Sequence, residues 1–377
     1  MKGTGPRIPS GCSITGIFNR KAKRFSGADV IKSIRLMHDR SNGLGGGFAG
    51  YGIYPQYRDH YAFHMLYGSE ASQHETERFL EKNFIVDRSE PIPTRPHPNI
   101  TDAPILWRYF LRLKPYAVEQ FSASQDRRLL GEAGNGYVEK NFVVRQIMDI
   151  NQKIDGAFVA SSGKNMGVFK GVGYPEDIGE FYRIDEYEGY MWTSHGRFPT
   201  NTPGWWGGAH PFTILDWSVV HNGEISSYGI NKRYLEMFGY HCTLQTDTEV
   251  IAYLFDLLHR RQGLSLENTC LALAAPFWKE IDRYPETKRE AVTAIRQVYG
   301  SAMLNGPFSL VVGFTGCMIG ITDRIKLRPL VCGQKDEVVY LSSEESAIRE
   351  ICPAPDRVWT IRAGEPIIVT LEEGVQP

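Results

Sequence analysis

The sequence predicts an α+β fold in which two sheets pack between layers of helices. Strand-like apolar segments lie near its start, two amphipathic helical patterns follow in its second half, and a strand-rich stretch ends it. Elements in this order bury their apolar faces by stacking in layers. With 377 residues, 42% of them apolar and 23% charged, the chain can form one large domain or two unequal ones.

The first element is a short strand that follows an irregular leader. Residues 1–11, MKGTGPRIPSG, contain three glycines, two prolines and no periodic pattern. CSITGIF, which begins at Cys12, alternates apolar and polar residues and predicts a strand. We therefore expect a leader over 1–11 and a domain over 12–377. Taken alone, Cys12 is an ordinary strand residue.

A helix and a glycine-rich segment come next. The apolar spacing predicts a helix over about 28–38. RSNGLGGGFAGYG, residues 40–52, does not predict a nucleotide-binding loop, because no Lys-Ser/Thr pair follows and the sequence continues as a strand. Glycines here indicate tight turns and close backbone approach.

Residues 57–150 carry none of the motifs found elsewhere in the chain. YAFHMLYG predicts a strand, and residues 70–82 predict a helix with a polar face. We expect an insertion at about 57–150, which either meets a partner or passively extends the fold. Residues 155–173 contain two apolar runs around a Ser-Gly-Lys-Asn turn and predict a hairpin.

The segment from Trp192 to Glu249 holds the side chains with the clearest chemical capacity. Arg197 offers a planar fork of donors that matches a carboxylate, although most arginines simply lie on a surface. Asn222 and Gly223 place a side-chain amide beside a flexible backbone N–H, the donor pair of an oxyanion hole. Asn-Gly is also a common hairpin turn. Asp247 offers a negative charge to an ammonium, or simply favours the first turn of a helix.

The last third of the chain combines helices with strands. Thr246 and Glu249 fit a capping box, and the apolar residues that follow predict a helix. A second helix is predicted over 287–299. FSLVVGF, CMIGIT, VVYLSS, VWTI and PIIVTL then predict strands between Gly, Asp and Pro turns.

Several motifs in a fixed order resemble one family. They are CSITGIF, HGRFPTNT, AHPF, HNGE, TDTEV, GPFS, TDR, RPL and SSEESAI. In this order they resemble the class II glutamine amidotransferases, which are N-terminal-nucleophile hydrolases. The wording of RSNGLGGGFAGYGIYP, GKNMGVFKGVGYP and NTPGWWGGAHPF is similar to the stand-alone amidotransferase subunit of archaeal-type glutamate synthase. The resemblance implies a four-layer αββα sandwich of two mostly antiparallel sheets.

The resemblance also implies which residues carry the chemistry. Cys12 would be the nucleophile and, once the leader is removed, the first residue, so that its own α-amino group is the general base. The Asn222 side chain and the Gly223 N–H would hold the oxyanion. The expected substrate-binding residues are Arg197 for the α-carboxylate, Asp247 for the α-ammonium, Thr200 and Asn201 in support of Arg197, and His210 as a residue that shapes the pocket.

The implied reaction is hydrolysis of L-glutamine to glutamate and ammonia. The implied partner is an FMN-dependent glutamate synthase subunit that aminates 2-oxoglutarate. We expect no cofactor in this chain, and FMN and iron–sulfur centres in partner subunits. Two alternatives stay open: a different ammonia acceptor, as in the related N-methylglutamate synthase, or a non-catalytic binding or regulatory subunit if the leader is never removed.

Composition indicates which cellular environment to expect and argues against some classes of partner. A net charge of −1 argues against nucleic acid or an anionic membrane surface as a partner, and no apolar run is long enough to span a bilayer. The six cysteines show no CxxC pair or zinc-ligand spacing, so we expect no metal site and a reducing, cytoplasmic location. They are Cys12, Cys242, Cys270, Cys317, Cys332 and Cys352.

Overall fold

The computed structural model describes residues 11–124, 135–198 and 204–377. The strands in these ranges are β1 (Ser13–Asn19), β2 (Phe25–Ser26), β3 (Gly46–Tyr51), β4 (Tyr61–Tyr67), β5 (Phe84–Pro91), β6 (Ile105–Leu113), β7 (Ala157–Ser161), β8 (Met166–Gly171), β9 (Glu188–Gly189), β10 (Met191–Gly196), β11 (Phe212–Ile214), β12 (Trp217–Gly223), β13 (Phe308–Phe314), β14 (Cys317–Thr322), β15 (Val331–Lys335), β16 (Val338–Ser342), β17 (Arg357–Thr360) and β18 (Ile367–Thr370).

The α-helices in the same ranges are α1 (Ala28–Arg35), α2 (Glu70–Asn83), α3 (Pro115–Ser124), α4 (Asn135–Lys153), α5 (Pro175–Phe181), α6 (Tyr228–Glu236), α7 (Asp247–Phe255), α8 (Leu266–Leu273), α9 (Trp278–Ile281), α10 (Glu286–Val298) and α11 (Glu345–Ile351). Short 3₁₀ turns lie at His38–Arg40, Pro55–Tyr57 and Ile184–Glu186, and a π-helical turn, Asp256–Arg261, extends α7. None of these helices is long and apolar enough to cross a membrane.

Two antiparallel sheets form the centre of the described part of the chain. The first has the strand order β17-β15-β16-β1-β10-β3-β8, and the second has the order β11-β12-β13-β14-β18. One cluster of buried side chains combines Ile14 and Phe18 from the first sheet with Val220, Val311 and Met318 from the second. The two sheets therefore pack face to face on a shared apolar core.

Helices cover the outer faces of both sheets. On the first sheet, Ile31 and Ile34 of α1, Ile178 of α5 and Ala347 of α11 belong to one buried cluster with Phe48 of β3. On the second sheet, buried residues of α6, α7 and α8 form a cluster with residues of β12, β13 and β14. The predicted αββα sandwich of mostly antiparallel sheets is confirmed.

A third sheet takes three of its four strands from the stretch where the sequence predicts an insertion, and its fourth strand, β7, follows that stretch. Strands β5-β6-β4-β7 form this four-stranded sheet within the described residues. The predicted strand YAFHMLYG corresponds to β4, and the predicted helix over 70–82 corresponds to α2. The insertion at about 57–150 and the division into 1–11 and 12–377 stay predictions, and residues 1–10 lie outside the described part.

The predicted hairpin over 155–173 is wrong. Its two strands exist as β7 and β8, but β7 pairs with β4 in the third sheet and β8 pairs with β3 in the first. The turn between them includes Asn165, which has a φ of +51°. A turn signal predicts that the chain reverses, whereas the partner of each strand depends on distant residues.

The fold brings separate segments to one end of the sandwich. Cys12 directly precedes β1, and Arg197 directly follows β10, the strand paired antiparallel with β1. The register that pairs Ser13 with Gly196 places Cys12 and Arg197 at the same end of two neighbouring strands of the first sheet. Asn222 and Gly223 end β12 of the second sheet. These four positions and the start of α7 define the candidate site.

Candidate active site

Cys12 lies at the end of the first sheet with its thiol turned towards the segment after β10. The Phe198 backbone N–H donates to Cys12 Sγ over 3.3 Å. Burial raises the pKa of the thiol, while the Phe198 N–H and the positive charges of Arg197 and Arg328 oppose that change without cancelling it. Within the described residues no imidazole or carboxylate hydrogen-bonds to Sγ. The described side chains therefore provide no hydrogen-bonded base for this thiol.

Arg40 holds the backbone of Cys12. Its Nε and Nη2 donate to the Cys12 carbonyl oxygen over 3.4 and 3.3 Å. Its Nη1 donates to Glu344 Oε1 over 3.0 Å, which orients the guanidinium. Sequence reasoning missed Arg40, although it begins the glycine-rich segment and Glu344 lies in SSEESAI. The only hint in the sequence is that an arginine begins the glycine-rich segment. No spacing along the chain relates Arg40 to Cys12.

Arg197 lies close enough to both Cys12 and Asp247 to interact electrostatically with each. It is 8% exposed, and its backbone N–H donates to the Gly45 carbonyl over 2.8 Å. A methyl group on Gly45, whose φ is +154°, would lie 3.1 Å from Arg197 Cδ. Burial lowers the pKa of Arg197, while the nearby Cys12 and Asp247 act in the opposite direction. The glycine at 45 thus allows the backbone of the loop to lie directly against the arginine side chain.

Asn222 is a fully buried amide near the end of β12, next to Gly11. Its exposure is 0%, and neither Oδ1 nor Nδ2 has a hydrogen-bond partner within the described residues. A methyl group built on Gly11, the residue before Cys12, would lie 3.7 Å from Asn222 Oδ1. Leaving a buried polar group unsatisfied costs about 1–3 kcal/mol. Such a cost at this position is typical of a group that meets its partner only when substrate is bound.

Gly223 has a backbone conformation that other residues rarely adopt. Its φ is +152°, and a side chain there would overlap the carbonyl oxygen of Pro307. The next residue, Glu224, donates its N–H to the same carbonyl over 2.9 Å. Glycine is therefore required at position 223 by close approach of the chain at the end of β12, and the Asn-Gly pair does not form a two-residue hairpin turn.

Asp247 is the first residue of α7 and is tied to the loop after β12. Its Oδ2 accepts from the Ile225 N–H over 3.0 Å, and its Oδ1 accepts from the Thr248 hydroxyl over 3.2 Å. His221 Nδ1 lies 3.7 Å from Oδ1. Burial acts to raise the pKa of Asp247, but His221 and these hydrogen bonds outweigh it, so the pKa lies below its usual value. Asp247 is thus an anion in a largely buried place.

The predicted capping box at the start of α7 is only half right. Thr246 Oγ1 accepts from the Thr248 N–H over 3.1 Å, as a cap does. Glu249, however, accepts from the N–H groups of Thr243 and Leu244 over 3.0 and 2.9 Å. The segment before the helix folds back far enough to present these donors, so the carboxylate reaches past the cap residue.

His210 lies in a group of buried imidazoles behind these residues. Its Nε2 lies 2.7 Å from Thr248 Oγ1, and its ring stacks on His195 with centroids 4.0 Å apart. Burial holds the pKa of His210 well below its usual value, and it lowers that of His195 to about 3. Both rings are therefore neutral near pH 7, and they orient the Thr248 and His221 groups that support Asp247. Sequence reasoning gave no role to His195, His221 or Thr248.

The structure brings together Cys12, Arg197, Asn222, Gly223 and Asp247, with His210 behind them. Thr200 and Asn201, the remaining predicted substrate-binding residues, lie outside the described residues. Among the described residues no group of three or more His, Cys, Asp or Glu side chains is arranged to hold a metal ion.

Comparison with known proteins identifies the family. The family model of class-II glutamine amidotransferases matches residues 50–238, about half of the chain. The chain belongs to the class II glutamine amidotransferases. The match includes Arg197, Asn222 and Gly223, whereas Cys12 and Asp247 lie on either side of it.

Relatives of this amidotransferase differ in how much of their length it spans. A protein of Archaeoglobus fulgidus is 52% identical over 364 residues, which cover 96% of this chain and 92% of the relative. A protein of Methanothermobacter thermautotrophicus, named provisionally as a glutamine amidotransferase, is 32% identical over 58% of this chain and 63% of its own length. An amidophosphoribosyltransferase of Methanocaldococcus jannaschii is 26% identical over 59% of this chain and 43% of its own. The chain thus spans less than two thirds of the second and third relatives.

Proposed function

We propose that this chain is the glutaminase subunit of a glutamate synthase, which hydrolyses L-glutamine and delivers ammonia to an FMN-dependent synthase subunit. The observation that carries the proposal is the buried Asn222 amide, which has no hydrogen-bond partner within the described residues and lies next to Gly11, the residue that precedes Cys12. A thiol next to an unused amide donor is the arrangement that acyl transfer through a tetrahedral intermediate requires.

Substrate binding uses the two opposite charges at the site. The Arg197 guanidinium binds the α-carboxylate bidentately, with Thr200 and Asn201 in support. The Asp247 carboxylate binds the α-ammonium, and its lowered pKa keeps it ionised at neutral pH. His210, neutral and hydrogen-bonded to Thr248, shapes the pocket and takes no part in proton transfer. The side-chain carboxamide of glutamine then extends towards Cys12.

The proton acceptor in this mechanism is the α-amino group of Cys12 itself. A free α-amine has a pKa of about 7.7–8.0, whereas a backbone amide has no useful basicity. Removal of residues 1–11 supplies this amine next to a thiol whose hydrogen bond, within the described residues, comes from the Phe198 backbone N–H. Arg40, which holds the Cys12 carbonyl, keeps the amine and the thiol in position.

The reaction then proceeds through two acyl-transfer steps. The Cys12 sulfur attacks the carboxamide carbon, and the Asn222 side chain and the Gly223 N–H hold the oxyanion. The leaving amide nitrogen takes the proton from the α-amine and departs as ammonia. Water attacks the thioester, which releases glutamate and restores the thiol.

The ammonia acceptor is proposed from the amino-acid sequences of two segments. RSNGLGGGFAGYGIYP and NTPGWWGGAHPF are similar to the stand-alone subunit of archaeal-type glutamate synthase. In this proposal the chain binds no cofactor of its own, and the partner subunits carry FMN and iron–sulfur centres. The partner combines ammonium with 2-oxoglutarate, two electrons and two protons to give a second glutamate and water.

Transfer of the amide nitrogen tests this proposal. The chain, the FMN-dependent synthase subunit of the same organism, a reductant and 2-oxoglutarate are incubated with amide-¹⁵N glutamine, and the products are analysed by mass spectrometry. We expect ¹⁵N in newly formed glutamate, and its loss in Cys12→Ala. Label that appears in N-methylglutamate when methylamine is supplied would favour the related synthase. A mature chain that hydrolyses no glutamine would contradict the proposal altogether.

A further inference from the structure

A cluster of two arginines and two aromatic rings lies on the surface near the site. We call Phe277, Trp278, Arg296 and Arg324 the Arg–aromatic surface. The Phe277 and Trp278 side chains are 40% and 45% exposed. The Arg324 guanidinium lies 4.5 Å from the centroid of the Phe277 ring, and that of Arg296 lies 4.1 Å from the Trp278 ring. Each ring thus has a cation over one face and is exposed over part of its remaining surface.

The two guanidinium groups carry positive charge that the described residues do not neutralise with an ion pair. Arg324 donates to the carbonyl of Ala275 over 3.4 Å and to Asn305 Oδ1, and Arg296 donates to the Pro276 carbonyl. Arg324 Nη1 also donates to Met303 Sδ over 3.4 Å, and all four acceptors are neutral. Partial burial lowers the pKa of Arg296, and the positive charge of Arg324 lowers it further. The two guanidinium groups are therefore close enough to repel each other. Adjacent like charges of this kind favour an anionic neighbour.

Exposed aliphatic side chains extend this surface towards Cys12. Ile325 and Leu327, one and three residues after Arg324, are 56% and 57% exposed. The next residue, Arg328, has its Nη1 3.3 Å from a methyl group built on Gly11. The segment from Arg324 to Arg328 therefore connects the Arg–aromatic surface with the residue that precedes the nucleophile.

The same surface is hydrogen-bonded to the loop that supports Asp247. Asn305, which binds Arg324, accepts at its carbonyl from the Ser226 N–H over 2.8 Å. The neighbouring Ile225 N–H donates to Asp247 over 3.0 Å. A protein that binds Arg324 would thus be connected, through Asn305, to the loop that holds Asp247.

We propose that the Arg–aromatic surface, with Ile325 and Leu327, is the docking surface for an acidic, partly apolar face of the ammonia-accepting synthase subunit. This inference rests on the proposed function. Trp and Arg are the side chains that contribute most to protein interfaces, and free aliphatic groups beside them favour a protein over a small anion. A second copy of this chain is a poor occupant, because two-fold pairing would bring the arginines of both copies together.

Binding of the purified synthase subunit from the same organism tests the surface. Arg296→Glu and Trp278→Ala are each compared with the unmodified chain by calorimetry or surface plasmon resonance at low and high salt. We expect each substitution to raise Kd by about tenfold or more, and Arg296→Glu to reduce the salt dependence of Kd. Glutamine hydrolysis by each variant alone should stay unchanged, which shows that the variant is folded.

Arg357→Glu is a matched control. The Arg357 guanidinium lies 4.0 Å from the Trp359 ring centroid, on the edge strand β17 of the first sheet. Arg357→Glu reverses the charge of an arginine that also lies over a ring, as Arg296→Glu does. Because Arg357 is not part of the Arg–aromatic surface, this substitution should leave binding of the synthase subunit unaffected. Suppose that the unmodified chain binds the synthase subunit. If Arg296→Glu then binds equally well, or if Arg357→Glu weakens binding as much as Arg296→Glu does, the proposed surface is wrong but the proposed function is not. An unmodified chain that hydrolyses glutamine yet does not bind the synthase subunit would overturn both the acceptor and the surface.

Discussion

Replacing Asn222 with alanine separates catalysis from stability more cleanly than any other change at the site. The amide is fully buried and neither of its polar atoms has a partner within the described residues. Asn222→Ala therefore breaks no hydrogen bond of the described structure. It removes the side chain that the account assigns to the oxyanion.

The expected magnitudes follow from these two facts. Loss of one oxyanion donor lowers kcat by about 10²–10³, which is about 2.7–4 kcal/mol of barrier. KM should stay nearly unchanged, because the interaction is made only in the transition state. Since removal of an unsatisfied buried amide relieves a cost of about 1–3 kcal/mol, the free energy of unfolding should be unchanged or raised. Steady-state glutaminase kinetics and urea unfolding measure the two effects.

Asn231 is the matched control for this substitution. It is equally buried, but its Nδ2 donates to the carbonyls of Ser301 and Met303 over 2.8 and 3.1 Å, and its Oδ1 accepts from Ser227. Asn231→Ala should therefore lower the free energy of unfolding by at least about 1–3 kcal/mol. Its kcat should change far less than that of Asn222→Ala. If Asn222→Ala retains full kcat, or is the less stable of the two, the oxyanion assignment is refuted.

Four further predictions concern the nucleophile, its support, the substrate charges and the pH dependence of activity. Cys12→Ala should abolish glutamine hydrolysis with little change in the circular dichroism spectrum, and activity within about tenfold of the unmodified enzyme would exclude Cys12 as nucleophile. Arg40→Lys should lower kcat by about tenfold, because the two-point contact with the Cys12 carbonyl is lost; an unchanged kcat would contradict a positioning role. Arg197→Lys and Asp247→Asn should both raise KM, Asp247→Asn more strongly, and an unchanged KM in either would contradict the pocket. In all variants that keep activity, kcat/KM should fall as the pH drops below about 7.7–8.0, because the protonated α-amine accepts no proton. Asp247 should not move this midpoint, since its lowered pKa keeps it ionised throughout that pH range.

Local patterns predicted most elements and the residue types of the site. Alternation in CSITGIF corresponds to β1, and the apolar face after Thr246 corresponds to α7. Arg197, Asn222 and Asp247 could be singled out because each lies in a short motif with an evident chemical capacity. What the sequence could predict is therefore what neighbouring residues determine.

The errors and omissions all depend on contacts between distant residues. Arg40 meets the Cys12 carbonyl only because the fold returns the chain to the start of β1. The hairpin over 155–173 failed because β7 and β8 pair with different sheets. Glu249 binds donors that a local capping rule places elsewhere. Pairing of β1 with β10, across more than 170 residues, is the feature that assembles the site, and no spacing within either strand encodes it.

The central claim is that the α-amine of Cys12 is the base, and one comparison tests it most directly. A chain expressed as Met followed by Cys12, from which the host aminopeptidase removes Met, is compared with the full-length chain. Intact mass and glutaminase activity are measured on the same samples. The account predicts that the shortened chain is active, and that activity of the full-length preparation is proportional to the fraction lighter by residues 1–11. Full activity in a preparation whose every molecule still begins at Met1 would contradict it.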